Sequence, residues 1–312
     1  MGIKKFIYEY KNKKTKVGVI MNDFKIDSLS DMSLYLRILL LKFLNEKSGE
    51  RLSYEDMIKF YEGSLFKNGK DFFVAYKENV ILSTLGVVTK EIKKDNIAYI
   101  SRFFIEDNLD NKDVLFDMLY KKATKDILED VDIRIGAFDN SNVELLESYG
   151  FKNTYNMIRM ELDLENITDF KEDFLYEDIK ACDEEIYINI NNRAFEGSKN
   201  ASFYDSNDYK EVLNSIDLKN RVKMVKDNDR QIGFLHLKKD EDKLYIDTFA
   251  IKKEEQGKGY GKRVLKDMLT RVREKEFKKV SLDVMDDNKR AISLYGKIGF
   301  ENKKISRYWF SK

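Results

Sequence analysis

The chain has 312 residues, a length typical of about two domains at ~150 residues each. Hydrophobic residues make up 42% and aromatic residues 13%, which suffices for packed cores and excludes a wholly disordered chain despite 36% charged residues. The 57 Lys and Arg nearly balance the 56 Asp and Glu, and a net charge of +1 gives no reason to expect nucleic acid as a partner. The single cysteine, Cys182, and the single histidine, His236, exclude an intrachain disulfide and metal sites built from several cysteines or two histidines.

The sequence gives no sign of a membrane segment. Residues 34–44 are the most apolar stretch, but Arg37 and Lys42 interrupt them and they are shorter than the ~20 residues of a membrane span. The first residues lack the apolar region of a secretion signal, and Phe6 stands where a myristoylation signal has Ser or Thr. We therefore expect a cytoplasmic protein with no membrane partner. Residues 17–21 favour a strand.

The order of predicted elements repeats along the chain. Each half reads helix, strand, helix, strand and short helix. In the first half these are the helix 32–44, the strands 97–105 and 131–138, the helix with the apolar stripe Val114, Leu115, Met118 and Leu119, and the short helix that ends at Gly150. In the second half they are the helix 184–195, the strands 244–251 and 280–285, the helix with the stripe Val264, Leu265, Met268, Leu269 and Val272, and the short helix that ends at Gly299.

Two copies of one α/β unit explain this repetition. A helix between two strands of one sheet predicts a right-handed parallel crossover in each copy. We place the domain boundary so that the first copy spans 1–164 and the second spans 165–312. The polar segment 197–208 between predicted elements is interpreted as a surface connection, with a gate over a substrate pocket as the alternative.

The glycine-rich turn Gln256-Gly257-Lys258-Gly259-Tyr260-Gly261 lies between a predicted strand and an amphipathic helix. Glycines let the backbone approach a ligand closely, and the unpaired N–H groups of a helix start favour phosphate. Lys258, Lys262 and Arg263 add positive charge. The turn lacks the Gly-Lys-Ser/Thr ending of a Walker A loop, and its glycines do not have the G-x-G-x-x-G spacing of dinucleotide-binding folds.

Two motifs resemble those of the GCN5-related N-acetyltransferases (GNAT). The turn Q-G-K-G-Y-G fits the family's [RQ]-x-x-G-x-[GA] loop, and residues 288–300, N-K-R-A-I-S-L-Y-G-K-I-G-F, fit N-x-x-A-x-x-L-Y-x-x-x-G-F. The resemblance covers about residues 174–309, with Lys253 where many relatives have Pro. It implies a mixed α/β fold class, here as two tandem acyl-CoA N-acyltransferase domains.

The resemblance also implies acetyl-CoA as cosubstrate, with no metal. The strand 247–251 would be splayed from its neighbour, so that its backbone pairs with pantetheine and offers an N–H to the thioester carbonyl. The loop amides would hold the pyrophosphate, and Asn288 would steady the pantetheine arm. The implied cofactor-binding residues are Phe249, Ala250, Ile251, Gln256, Gly257, Lys258, Gly259, Tyr260, Gly261, Lys262 and Asn288.

The implied reaction is direct attack of an amine on the thioester. Tyr295 matches the residue that in many relatives protonates the leaving thiolate, as an acid or as a hydrogen-bond donor. Asp283 and Asp247 are alternative bases, and a third alternative has no dedicated base and drains the proton through water. Cys182 is interpreted as a bystander, His236 as a strand residue that faces solvent or substrate, and the basic run 275–279 as a solvated surface.

The first copy lacks the features that the resemblance assigns to the second. Residues 106–113, in the place of the glycine-rich turn, contain no glycine and four carboxylates, which would repel pyrophosphate. Asp139 stands in the place of Asn288, and Leu146 in the place of Tyr295. We interpret the first copy as a degenerate domain that supports the second or shapes its substrate cleft.

The sequence thus predicts a tandem N-acetyltransferase that acts on a primary amine of a small molecule or of a peptide N-terminus. The alternative is a non-catalytic acyl-CoA-binding or regulatory module that binds a protein partner. Neither the acceptor nor the oligomeric state can be predicted from the residues, and an oligomer is compatible with them.

Overall fold

The computed structural model describes residues 24–49, 51–138, 140–199, 201–275 and 277–312. The predicted strand at 17–21 and Asp139 lie outside these residues. The described chain forms two compact units. The first extends to Thr154 and also includes Arg307–Lys312, and the second is Tyr155–Ser306. The domain limits 1–164 and 165–312 stay a prediction.

The first unit contains a mixed sheet. Its strands are β1 (Lys25–Ser28), β2 (Phe72–Lys77), β3 (Val80–Val88), β4 (Ile97–Ile105) and β5 (Asp132–Ala137). They lie in chain order, and only β4 and β5 are parallel. Residues 308–311 pair antiparallel with β5. The helices of this unit are α1 (Leu34–Ser48), α2 (Tyr54–Tyr61), α3 (Ile92–Asp95), α4 (Lys112–Thr124) and α5 (Asn140–Ser148).

The second unit contains a sheet of the same kind. Its strands are β6 (Lys152–Asp163), which begins in the first unit, β7 (Phe174–Asp178), β8 (Asn220–Asp227), β9 (Arg230–Asp240), β10 (Lys243–Ile251) and β11 (Lys279–Met285). Their order is β6-β11-β10-β9-β8-β7, with β10 and β11 parallel and the other pairs antiparallel. Its helices are α6 (Glu184–Ala194), α7 (Ser206–Ser215), α8 (Tyr260–Arg273) and α9 (Lys289–Ile298), and β12 (Glu301–Ser311) ends in the first unit.

Short 3-10 helices complete the description, at Leu29–Asp31, Ser64–Phe66, Leu164–Asn166, Ala181–Asp183 and Lys253–Glu255. The mixed α/β fold class and the parallel crossover in each copy are confirmed. The helix stripe predicted for the second copy is buried in full. In the first copy the prediction for Met118 was wrong, since this side chain is exposed. The buried stripe of α4 consists of Leu115, Phe116 and Leu119, so it is rotated away from Met118.

The two faces of the second sheet carry different cores. One face packs against α8 and α9 through side chains such as Ile246 and Leu282, together with the buried face of α8. The opposite face packs against α6 and α7 through Tyr187, Tyr209 and Phe234. Because side chains alternate along a strand, Asp283 next to Leu282 lies on the α6 face. No helix of the described residues is long and apolar enough to cross a membrane.

Candidate active site

The parallel strands β10 and β11 separate halfway along their length. Lys243–Ile246 pair with Lys279–Leu282, but β10 continues to Ile251 and β11 to Met285 without pairing with each other. A bulge at Asp247, between Ile246 and Thr248 in the register with β9, occurs at the same point. Bulges commonly bend a strand and end pairing next to functional sites. The splay predicted for 247–251 is therefore confirmed, and it leaves a wedge between the two strands.

Alternate backbone groups of β10 point into this wedge. Lys252 donates its N–H to the carbonyl oxygen of Ile232 at 2.8 Å, so it faces β9. Since an antiparallel strand alternates the sides to which its polar groups point, Ile251 and Phe249 face the wedge. Ala250 faces β9, where a Cβ placed on Gly233 would lie 2.2 Å from the Ala250 carbonyl oxygen. Of the three predicted β10 residues, two thus offer backbone groups to a ligand in the wedge.

The glycine-rich loop connects this strand end to α8. Gly257 and Gly259 have φ values of +81° and +86°, in the left-handed region that favours glycine. Gly259 is the N-cap of α8, and among the described residues no side chain caps the first N–H groups of that helix. Gln256 donates through Nε2 to the Ile251 carbonyl oxygen at 3.0 Å, which fixes the loop to the wedge. The helix start therefore presents unbonded N–H groups and its positive dipole end beside the wedge.

The side chains around the loop differ in their availability. The Lys262 side chain is exposed. Nζ of Lys258 lies 3.0 Å from Oε2 of Glu255, and the Arg263 guanidinium forms an ion pair with Glu172. The Tyr260 ring is buried, and its hydroxyl donates to Asp227 at 2.6 Å. Tyr260 and Gly261 can therefore serve a ligand only through their backbone. Of the three cations predicted near the phosphate site, Lys262 is the one with no ion pair to another described residue.

Asn288 and Tyr295 are both on α9. Asn288 is the N-cap of this helix, and its Oδ1 accepts from the Ala291 N–H at 3.0 Å. Burial raises the pKa of Tyr295 to about 12, so the phenol is protonated at neutral pH. The Tyr295 ring packs against Phe300, with ring centroids 5.8 Å apart. Both residues line one cavity of the second unit.

Asp283 is held by neighbours on the α6 face of the sheet. Arg159 on β6 donates to its two carboxylate oxygens at 2.5 and 3.1 Å. The Arg159 guanidinium also lies over the ring of Tyr245, 5.1 Å from its centroid. Burial, with the nearby carboxylates of Asp283 and Asp247, raises the pKa of Tyr245. Both carboxylate oxygens of Asp283 are therefore engaged in charge-assisted hydrogen bonds.

Asp247 has cationic and imidazole neighbours. Lys238 donates to its Oδ1 at 2.5 Å, and Nδ1 of His236 lies 3.4 Å from its Oδ2. Burial acts to raise the pKa of Asp247, but Lys238 and His236 outweigh it and the pKa falls below the usual value. Burial lowers the pKa of His236. At neutral pH the site therefore holds a carboxylate beside a neutral imidazole.

Asp247, Asp283, Asn288 and Tyr295 all border a cavity of about 230 Å³ in the second unit. It is lined by Met157, Asn191, Phe195, Ser198, Ala201, Ser202, Tyr204, Ile246, Asp247, Thr248, Phe249, Leu282, Asp283, Val284, Met285, Asn288, Ala291 and Tyr295. The interpretation of 197–208 as a plain surface connection was wrong, since Ser198, Ser202 and Tyr204 line the cavity. Residues 206–208 also belong to α7.

Sequence reasoning missed several of the residues at this site. Arg159 and Met157 precede the predicted domain boundary, yet both lie in the second unit. Lys238 is two residues after His236, an alternation that would have placed both on one face of a strand. Asn191 and Tyr204 carry no motif. Among the described residues, no group of three or more His, Cys, Asp or Glu side chains is arranged to hold a metal ion.

The first unit has a comparable splay with different contents. Ile97–Ile100 pair with Asp132–Ile135, and β4 then continues to Ile105 without pairing with β5. Phe104 and Phe138 follow the paired segments and stack on each other at 5.0 Å, and Arg307 lies over the Phe138 ring at 4.3 Å. Leu146, in the place of Tyr295, is fully buried.

Comparisons with known proteins agree with this geometry. The family described as "Acetyltransferase (GNAT) family" matches residues 184–300. A GCN5-related N-acetyltransferase from Sphaerobacter thermophilus aligns with a TM-score of 0.64 at 14% identity, over 94% of this chain and 96% of that chain. A tandem GNAT protein from the clavulanic acid biosynthesis pathway aligns with a TM-score of 0.65 at 12% identity, over 93% and 98%.

A third structure is described as a putative acetyltransferase from Pyrococcus horikoshii and aligns with a TM-score of 0.63 at 12% identity, over 95% of this chain and 92% of that chain. Comparison with curated protein sequences finds no match. At these identities the structural neighbours establish the fold of the chain. The family match concerns residues 184–300 of the second unit. Residues 184–300 therefore match the acetyltransferase (GNAT) family, and the chain as a whole shares its fold with solved structures that include a tandem GNAT protein.

Proposed function

We propose that the second unit is an N-acetyltransferase that transfers the acetyl group of acetyl-CoA to a primary amine of a small molecule or peptide. The observation that carries this proposal is the combination of a splayed strand and Tyr295 at one cavity with a glycine-rich helix start joined to the end of that strand. A cytoplasmic location, as expected from the sequence, is part of the proposal.

The residues present fit acetyl-CoA. The left-handed Gly257 and Gly259 have open space where a Cβ would stand, and the N–H groups that begin α8 suit a pyrophosphate. The backbone of Phe249 and Ile251 suits the amides of pantetheine, which need strand-like partners. Lys262 adds a positive charge at the helix start. Asn288 borders the cavity while its side-chain oxygen caps α9, so we assign it to shaping the pantetheine path.

The side chains of the cavity supply the remaining chemistry. The Phe249 N–H is the donor that stabilises the negative charge developing on the thioester oxygen. Tyr295, protonated at neutral pH, gives a hydrogen bond or a proton to the departing sulfur. Between the two candidate bases we favour Asp247, because Arg159 occupies both oxygens of Asp283. Asp283 then serves to orient the amine as a polar group of the cavity wall.

We propose further that the first unit does not take acetyl-CoA. The rings of Phe104 and Phe138 stack on each other just beyond the point where β4 and β5 separate. The segment that follows β4 contains Glu106, Asp107, Asp110 and Asp113 and no glycine, so it offers carboxylates in the place of the N–H cradle. The unit would then support the second unit, as expected from its sequence.

Calorimetry of acetyl-CoA binding to the wild-type chain and to Gly259→Glu tests the proposal. One site per chain that is lost in the variant is the expected result, whereas two sites would contradict the assignment of the first unit. A panel of primary amines with detection of released CoA then tests transfer. Binding without turnover would favour the non-catalytic acyl-CoA-binding module, and no binding would overturn the proposal.

A further inference from the structure

The His236 ring connects a side chain on β8 to the candidate base on β10. Its Nε2 lies 2.6 Å from Oδ1 of Asn220, and its Nδ1 lies 3.4 Å from Oδ2 of Asp247. The His236 side chain is only 12% exposed, so both contacts are largely shielded from solvent. This arrangement is independent of the two motifs in the sequence.

The Asn220 side chain fixes which ring nitrogen carries the proton. Its Nδ2 donates to the Ser215 carbonyl oxygen at 2.9 Å and contacts the Ser215 hydroxyl oxygen at 3.0 Å. The amide is thereby oriented with Oδ1 toward His236. Because a carbonyl oxygen can only accept, Nε2 of His236 must be the N–H donor. In the neutral ring Nδ1 then has a lone pair, and that lone pair faces Asp247.

The contact between Nδ1 and Asp247 Oδ2 is consistent with this assignment. At 3.4 Å it is longer than an ordinary N–H···O bond, as expected when two acceptors face each other with no proton between them. A proton added at this place would be held by both atoms. The other carboxylate oxygen, Oδ1, is already bonded to Lys238.

We propose that His236, oriented by Asn220, is a positioning residue that shares with Asp247 the proton removed from the acceptor amine. This inference rests on the proposed function of the same site. As the amine nitrogen forms the C–N bond, its N–H bond breaks and the proton passes to Asp247 Oδ2 and Nδ1 of His236. The C–S bond breaks with its electron pair on sulfur, which takes a proton from Tyr295. The Asp247–His236 pair then releases its proton to solvent, and Tyr295 takes one up from solvent.

Burial and the surrounding charges keep His236 and Asp247 unprotonated at neutral pH. Burial lowers the pKa of His236, Lys238 lowers it further, and Asp247 opposes both. From α6 and the segment before α7, Tyr187 and Tyr204 also face Asp247, and burial raises the pKa of both phenols, so they stay neutral. On β10, Tyr245 interacts electrostatically with Asp247 and with Asp283 of β11.

Nitrogen NMR of the imidazole tests the tautomer directly. His236 is the single histidine of the chain, so tag-free protein labelled at histidine nitrogen gives one ring to assign. We expect a protonated Nε2 and an unprotonated Nδ1 at pH 8, a mixture of tautomers in Asn220→Leu, and a lower His236 pKa in Asp247→Asn. Arg221→Gln, on the same strand as Asn220, is the matched control and should leave the spectrum unchanged. A wild-type ring protonated at Nδ1, or a titration indifferent to Asp247, would overturn the inference.

The pH dependence of kcat/KM tests the catalytic part, with an amine from the panel. Protonation of the amine and of the pair should together give a slope of 2 on the acidic side of the logarithmic profile. In His236→Gln the slope should fall to 1 and kcat should decrease about 10- to 100-fold, with acetyl-CoA affinity unchanged. Wild-type rate and slope in this variant would overturn the inference and leave the proposed function intact. Acetyl-CoA binding without turnover of any amine in the wild type would overturn both.

Discussion

Arg159 and Asp283 stand directly opposite each other in the register of β6 and β11, and two hydrogen bonds of 2.5 and 3.1 Å join their side chains. The arginine precedes the predicted start of the second domain, and the aspartate lies in the candidate active site. The last part of β6 is therefore a structural component of the second unit. Removal of this part of β6 should therefore disturb the candidate active site.

A truncated chain of residues 165–312 should fail to fold cooperatively. It lacks the strand segment that pairs with all of β11, from Met157–Met285 to Asp163–Lys279, and leaves Asp283 without its arginine. A chain of residues 155–306 keeps that strand and should show a cooperative thermal transition by circular dichroism. Equal cooperativity in the two truncations would show that β6 is dispensable for the second unit.

Gly259→Ala should weaken acetyl-CoA binding about tenfold or more, a change worth ~1.4 kcal/mol. The residue has a φ of +86°, where an alanine costs roughly 1–2 kcal/mol, and relaxation would turn the loop N–H groups away from the ligand. Gly49→Ala is the matched control, since Gly49 has a φ of +70° and open space around it, but caps α1 in the first unit. It should lower the free energy of unfolding similarly and leave the calorimetric affinity unchanged. Equal loss of affinity in both variants would point to global destabilisation.

Tyr295→Phe should lower kcat by about 100-fold, the usual size of one proton-transfer contribution. Acetyl-CoA affinity should not change, because the ring packing against Phe300 is retained. Because the pKa of Tyr295 is raised to about 12, wild-type activity should show no loss from phenol ionisation until the pH approaches 12, well above the usual value of 10. Steady-state rates with calorimetry check the three expectations. An unchanged kcat would remove Tyr295 from the reaction.

Lys238→Met should raise the pKa of His236. The ammonium group lowers this pKa through its charge, and it also favours the ionised form of Asp247, so its removal favours proton uptake by both residues. The neutral imidazole would then become protonated at a higher pH than in the wild type. Nitrogen NMR over pH 4 to 9 measures the shift. A lower or unchanged His236 pKa would contradict this electrostatic account.

Local patterns predicted much of the fold. The stripe on α8, the strands on either side of it and the parallel crossover all follow from periodicity, because burial on one face dictates spacing. The glycine-rich turn and Tyr295 were recognisable because their motifs are contiguous. Arg159 and Asn191 were not, since strand pairing across more than a hundred residues brings Arg159 beside Asp283, and packing of a helix on the sheet brings Asn191 to the cavity.

The placement of Arg307–Lys312 in the first unit has a consequence for synthesis of the protein. Tyr308–Ser311 pair with β5, so the first sheet lacks this strand until residues 308–311 have been made. A nascent chain folds its N-terminal part first where it can. Until residues 308–311 are available, one edge of β5 stays unpaired. An exposed strand edge can pair with another chain and lead to aggregation. Ribosome-bound chains that end before Arg307 should therefore be more susceptible to proteolysis in the first unit than released protein that includes Arg307–Lys312.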